Sequence, residues 1–410
     1  MIEKRTYKQW YDLYLALFAG IMIAFPKMVG IAIVPILLFV VIGLVKGKIQ
    51  FKFSWMALLL ILLYLGYLIG TLFTNNPDLA NKYLEYKLSF VVFPLLLSFR
   101  PKEQDFSIPI ISTGLIIGVA ITMIYGVFNS FTCALNEGTS CFLTVIISPV
   151  HHPTYFVSFI LLGMLASWIG YQKKWKGYSL LWIIPFSLFA LAIQVLSLSL
   201  AGILFLMITI SVVFLNVIIK KWGKIIAAAS VLVFVILGYL TVNYVPQIEG
   251  EWNNAKWYAN EYLKNPSTFV AGRTNPMSGT EQRLVMWTVT WEELKDNPLG
   301  AGTGNVDIVL GNRLRNLGQF ELADKELNPH NQFLQTGVEI GVGGLIVLLL
   351  LIGCGIFKGL RDRNGLLLLM SSGLAFNCLF ESMLQRQSGI VFFSFWICLL
   401  MVSQSLKHEE

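Results

Sequence analysis

Apolar residues run along this chain in stretches near twenty long, such as Trp55 to Phe73 and Ile225 to Val242, with short polar connections between them. A helix needs roughly 20 residues to cross hydrocarbon, while a membrane β-strand is half as long and alternates in character, so the pattern predicts transmembrane helices. The first stretch, Tyr11 to Ala24, follows a basic start at Lys4, Arg5 and Lys8. No small-x-small cleavage site follows and a second stretch begins almost at once, so it reads as a retained helix rather than a secretory leader. Further spans are placed near residues 28–45, 54–73, 88–99, 108–127, 153–171, 179–196, 199–219, 225–244, 335–357, 365–380 and 388–405, giving about twelve. The expected fold class is all-α: a polytopic transmembrane helix bundle. Residues 1–244 form a bundle of nine spans, 245–330 one large loop with helices of its own, and 331–410 three closing spans.

Charge orients the bundle, because short cytoplasmic loops are rich in Lys and Arg. Alternate connections hold Lys46, Lys48 and Lys52; Arg100 and Lys102; Lys173, Lys174 and Lys176; Lys220, Lys221 and Lys224; and Lys358, Arg361 and Arg363. The intervening connections are poor in basic residues, with Lys27 alone in the first and none between Phe128 and Val150. Both termini are therefore expected in the cytoplasm, and the long segment from Pro246 to Asn328 outside it. That segment is the one sizeable polar stretch, and loops of such length are usually functional.

Composition agrees: 56% of residues are hydrophobic, 13% are charged and the mean hydropathy is +0.69, a surface no soluble fold could cover. The formal charge of +7 is explained largely by inner-leaflet lysines and does not argue for nucleic acid. Four histidines and five cysteines are scattered, with no CxxC and no HExxH, so no metal site and no cofactor are expected. Cys133 and Cys141 share an outer loop, where a disulfide is permitted; two free thiols are the alternative. Cys354, Cys378 and Cys398 fall in spans as packing residues.

Three elements carry candidate chemistry. In the large loop Arg283, Trp287, Trp291 and Leu294 recur at helical spacing on one face. Such a helix suits the membrane interface, although the stripe also fits simple packing of the loop onto the bundle. The Arg283 guanidinium is a rigid fork of donors suited to phosphate oxygens. Next, Asn297-Pro298-Leu299-Gly300-Ala301-Gly302-Thr303-Gly304 has the spacing of a phosphate-cradling loop. It lacks the preceding buried strand of a dinucleotide fold, which favours a tight turn over an anion cradle. Third, His330-Asn331-Gln332-Phe333-Leu334-Gln335 stands where the loop re-enters the membrane, ahead of Gly337, Gly341, Gly343 and Gly344. An imidazole at that boundary can take a proton from a sugar hydroxyl or donate to a phosphate, the competing reading being a histidine satisfied by a backbone carbonyl. The glycines allow close helix approach.

With these residues the sequence resembles the O-antigen ligases, a family that shares a domain with O-antigen polymerases and some protein O-oligosaccharyltransferases. The family motif is His-Asn (or Ser or Gln in place of Asn), nine residues, then Gly-x-x-Gly; here His330-Asn331 is followed after nine residues by Gly341-Val342-Gly343-Gly344. Upstream, the family tends to show an Arg before a Trp and then Asn-Pro-Leu-x-Gly-x-Gly, matched by Arg283, Trp287 and Asn297 to Gly304. Other segments resemble ligases of the Bacteroidetes type: Glu85-Tyr86-Lys87-Leu88-Ser89 leading to Phe93-Pro94, His152-Pro153-Thr154-Tyr155, and Glu381-Ser382 through Arg386-Gln387-Ser388-Gly389. The resemblance covers most of the chain, and its specific part is the histidine motif. One departure stands out: many relatives carry Ser-Arg at the start of a middle span, where this chain reads Ser199-Leu200-Ala201-Gly202.

The resemblance implies a multi-pass protein of the bacterial inner membrane that moves a glycan from undecaprenyl diphosphate to lipid A-core at the periplasmic face. It implies His330 as the catalytic base, Arg283 with Arg386 or Lys87 as diphosphate ligands, and Asn331, Gly341, Gly344 and Trp287 as supporting residues. An O-antigen polymerase or a protein-glycosylating enzyme is the near alternative. A polysaccharide or lipid transporter is the alternative of another class, and should bury ionisable groups mid-span or show paired broken helices, whereas these spans hold almost none.

Overall fold

In lipid the backbone must satisfy its own polar groups, so unbroken apolar runs fold as helices. The computed structural model describes residues 6–102, 105–137, 139–244, 246–273 and 277–402. Lys4, Arg5, both termini and the last residues of the final expected span, 403–405, lie outside the described residues. Among those described are seventeen α-helices and one two-stranded antiparallel ribbon, Ile49–Phe51 with Phe99–Pro101. Polar residues mark where helices begin: Ser54, Ser179, Ser278, Asn331 and Asn364 each accept from a backbone N–H of the first turn.

Each expected span coincides with helix, and the chain is a multi-pass membrane protein. Among the described residues five helices are long and apolar enough to cross alone: Pro26–Val45, Trp55–Phe73, Ile108–Asn136, Pro153–Gln172 and Gln332–Arg361. Leu180–Leu196, Gly365–Cys378 and Gln387–Val402 are apolar but shorter. The fourth expected span is a ten-residue helix, Ser89–Ser98, that follows the amphipathic helix Pro77–Lys87. The eighth and ninth run on as Leu200–Tyr244, interrupted at Gly223, where φ is +88°.

Four of the five basic connections gather at one end. The ribbon joins the Lys46–Lys52 loop to the Arg100 loop, Ser107 N donates to Asp12 of the first helix, Tyr178 Oη donates to Pro109 O, and Gly365 packs on Ile169. At the other end Cys133 and Cys141 form a disulfide. There too the large loop builds a core of its own, with Val285, Met286, Val289 and Leu294 packed against Val306, Leu310, Leu314 and Leu322. Val338 of the Gln332–Arg361 helix belongs to this core, which couples the loop to the bundle.

Candidate active site

The helix Gln332–Arg361 is broken near its start: Ile340 has φ −130° and Gly341 has φ +76°. A break strips the backbone of its own partners, and such gaps persist at membrane depth only when protein fills them. The Asn297–Gly304 loop does so. Ala301 N donates to Val338 O at 2.7 Å, Gly302 N to Glu339 O at 3.2 Å, and Val342 N returns a bond to Pro298 O at 2.9 Å. Thr303 N and Oγ1 donate to Gly70 O and Tyr67 O, and Asn305 Nδ2 donates to Phe73 O and Ala301 O. The loop is therefore a brace whose amides are spent on carbonyls, not an anion cradle. Gly341 needs its hydrogen: its φ is positive, and a Cβ would stand 2.6 Å from the Leu299 carbonyl. Gly344 lets the Ile340 side chain lie across it.

His330 lies two residues ahead of this helix. Its own φ is +47°, a conformation unusual for a side chain that size and held from both sides. Asn328 Oδ1 accepts from His330 N at 2.9 Å and from Ser382 Oγ, while Asn331 Oδ1 caps the helix through Leu334 N and its Nδ2 donates to Leu379 O. The ring then turns toward the 379–386 loop, where Nδ1 lies 3.2 Å from Glu381 Oε2. With Nδ1–H donating to the carboxylate, Nε2 is left with a lone pair. Burial opposes ionisation of Glu381, but His330, His152 and the Ser382 N–H together hold its carboxyl below the ordinary range. The imidazole itself stays 29% exposed.

The two arginines are brought to the same place. Burial pushes His152 below its usual range; the charge of Glu381 opposes that shift, and those of Arg386, His330 and Arg283 add to it. All four groups thus lie within electrostatic reach of one imidazole. Arg283 and Arg386 are both exposed, and no hydrogen bond or ion pair holds either guanidinium among the described residues. The expected stripe on helix Gly279–Asp296 is split: Arg283 and Trp291 face outward, Trp287 is half-buried with its indole N–H unpartnered, and Leu294 is buried against Gly337. Packing therefore accounts for Leu294, not for Arg283.

Lys87 differs from the arginines. It is fully buried, 3.8 Å from the equally buried Glu339 and 3.0 Å from Gln385 Oε1, with its ammonium over the rings of Tyr67 and Tyr83. The expectation that the spans hold almost no ionisable group is corrected here, since Glu339 lies in one. A lone carboxylate inside an apolar helix requires a cation, and that was the signal in the sequence. Glu381 and His152 stood in motif segments without a role; their signal was two polar groups placed at helix ends in a chain so poor in charge. The side chain of Leu200 lies outside the described residues.

The family model described as O-antigen ligase matches residues 185–349, a stretch holding Arg283, the brace, His330 and the helix break at Ile340–Gly341 but not Glu381 or Arg386. No curated protein matches the chain. Over that stretch the chain is similar to the O-antigen ligase family.

Proposed function

We propose that the protein is an inverting glycosyltransferase that moves a finished glycan from undecaprenyl diphosphate to a sugar of lipid A-core, at the periplasmic face of the bacterial inner membrane. The reading rests on one observation: an imidazole tied by Nδ1 to a buried carboxylate, with Nε2 open, amid two exposed unpaired guanidiniums. Nε2 of His330 takes the proton of the acceptor hydroxyl as that oxygen attacks the anomeric carbon. The bond from that carbon to the diphosphate breaks, and the leaving group carries away the electron pair. Glu381 holds the tautomer and offsets the charge of the imidazolium, as a carboxylate does behind any histidine base. Arg283 and Arg386 neutralise the charge growing on the diphosphate where water is scarce. No ATP and no metal enter, since the sugar–diphosphate bond is already activated. Both termini lie in the cytoplasm in this arrangement, and the span count is about twelve.

A transporter is less well supported. The Lys87–Glu339 pair is an ionisable group at depth, but it is neutral overall and hydrogen-bonded. The carbonyls freed by the broken helix are occupied by the glycine loop rather than left for an ion.

The test incubates purified protein with lipid-linked glycan and offers, in separate reactions, intact lipid A-core, its delipidated form and a second lipid-linked glycan. Gain of mass on lipid A-core supports ligation. Gain only on the second glycan would make the protein a polymerase, and no gain on any acceptor would refute glycosyl transfer.

A further inference from the structure

The Lys87 network joins the two segments that carry the site, and nothing in the proposed chemistry uses it. His330 precedes the Gln332–Arg361 helix; Glu381 and Arg386 lie in the loop between Gly365–Cys378 and Gln387–Val402. Besides the bonds of Asn328 and Asn331 at the helix start, two ties from within the helix connect them. Gln332 Oε1 accepts from Leu384 N at 2.6 Å and its Nε2 donates to Thr336 Oγ1 at 2.9 Å, so the amide is fixed at both ends. Two turns further along, Glu339 Oε2 accepts from Gln385 Nε2 at 2.6 Å and from Gln335 Nε2 at 3.2 Å. Lys87 closes this second tie by donating to Gln385 Oε1 at 3.0 Å while neutralising Glu339. Both residues of the pair have no exposed surface.

We infer that Lys87, Glu339 and Gln385 form a positioning clamp that holds the Glu381–Arg386 loop against the His330 helix, and that Lys87 does not touch the donor. The argument is one of geometry and charge. A ligand cannot reach an ammonium that is enclosed by a carboxylate, an amide and two aromatic rings. A carboxylate at that depth is costly without its partner, and in its absence the Gln385 tie is lost with it. The loop would then keep Gln332 as its one tie within the helix, beside the Asn331 and Asn328 bonds at the helix start, and the carboxylate of Glu381 would be held less firmly at 3.2 Å from His330. Because Glu339 sits immediately before the break at Ile340–Gly341, the clamp also sets the height of His330 relative to the brace.

The inference rests on the glycosyl-transfer reading for its kinetic arm only. Three variants of the full-length protein are compared with wild type: Lys87→Met, Lys87→Met with Glu339→Gln, and Gln385→Met. Hydrogen exchange over residues 379–386 reads the clamp, and kcat and donor KM read the site. In Lys87→Met and in Gln385→Met, exchange at the Leu384 amide and loss of kcat each reach at least about tenfold, while donor KM moves no more than about threefold. The double variant buries no charge and keeps an acceptor for Gln385, so it recovers most of both losses. If Lys87→Met does not fold, Gln385→Met carries the same two readouts with the ion pair intact. A raised donor KM at constant kcat would assign Lys87 to the diphosphate and overturn the inference. So would unchanged exchange in Gln385→Met, or a double variant no better than Lys87→Met. A wild-type protein that transfers nothing would sink the glycosyl-transfer reading while the exchange data still judged the clamp.

Discussion

His151 and His330 lie at the same end of the bundle and differ in what their second nitrogen meets. His151 is enclosed: Nε2 donates to Ile23 O at 2.7 Å, Nδ1 accepts from Ser388 Oγ at 2.9 Å, and burial pushes its pKa down to about 4. His330 has one nitrogen on a carboxylate and, among the described residues, no hydrogen-bond partner for the other, in a ring that stays partly exposed. The first imidazole is a tie between the first helix and the last; the second is free to move a proton. The same contrast separates Lys87, spent on Glu339, from Arg283 and Arg386, which keep their donors unspent. Within each comparison burial and the partners met decide the role.

The comparison breaks most sharply at Glu381. Replacing it with Ala removes the group that selects the His330 tautomer, and transfer should fall by about 10²- to 10⁴-fold with little change in KM. Initial rates at saturating donor check this, and a rate within a few-fold of wild type would leave the carboxylate without a catalytic part. Gly341→Ala comes next. A side chain there meets both a positive φ and the Leu299 carbonyl, so thermal unfolding in detergent should report a loss of roughly 3 kcal/mol. Gly353→Ala, on the same helix with open space around it, serves as the neutral control.

The cations follow. Arg283→Ala and Arg386→Ala should each raise donor KM by about ten- to a hundredfold, the worth of a charge-assisted bond to phosphate. Equal donor affinity in both variants would show that neither guanidinium reaches the diphosphate. Smallest is the acid sensitivity of His151. Its folded pKa lies below its unfolded value near 6.5, so the unfolded chain binds the extra proton, and this group's contribution to stability is lost as pH falls from about 6.5 toward 4. His151→Asn should be less stable by about 1 kcal/mol at neutral pH and should lose less on acidification. Melting curves at several pH values separate the two; parallel losses in both proteins would exclude His151 as the titrating group.

Much of the bundle was legible because apolar length and loop charge are local properties of the chain. The expected spans fall on helices, and four of the five basic loops meet at one end through contacts such as Ser107 to Asp12. The short helix Ser89–Ser98 and the fused Leu200–Tyr244 were harder, since a helix shielded by neighbours need not be long or separately bounded. The role of the Asn297–Gly304 loop was half legible. Its glycines signalled tight backbone, but the carbonyls they serve belong to a helix that breaks forty residues downstream, by about that count in the chain. Glu381 was out of reach for a related reason: it lies 51 positions from His330, and only folding brings the pair together. A lone Glu339 in a span calls for a cation, and the buried Lys87 supplies it.

The central claim is that the open imidazole, not its enclosed neighbour, takes the acceptor proton. Wild type, His330→Ala and His151→Asn, each purified and reconstituted with lipid-linked glycan and lipid A-core, give the most direct test by mass of the product. Transfer by wild type and by His151→Asn, with none by folded His330→Ala, is the predicted result. Transfer by His330→Ala at a rate near wild type would contradict it.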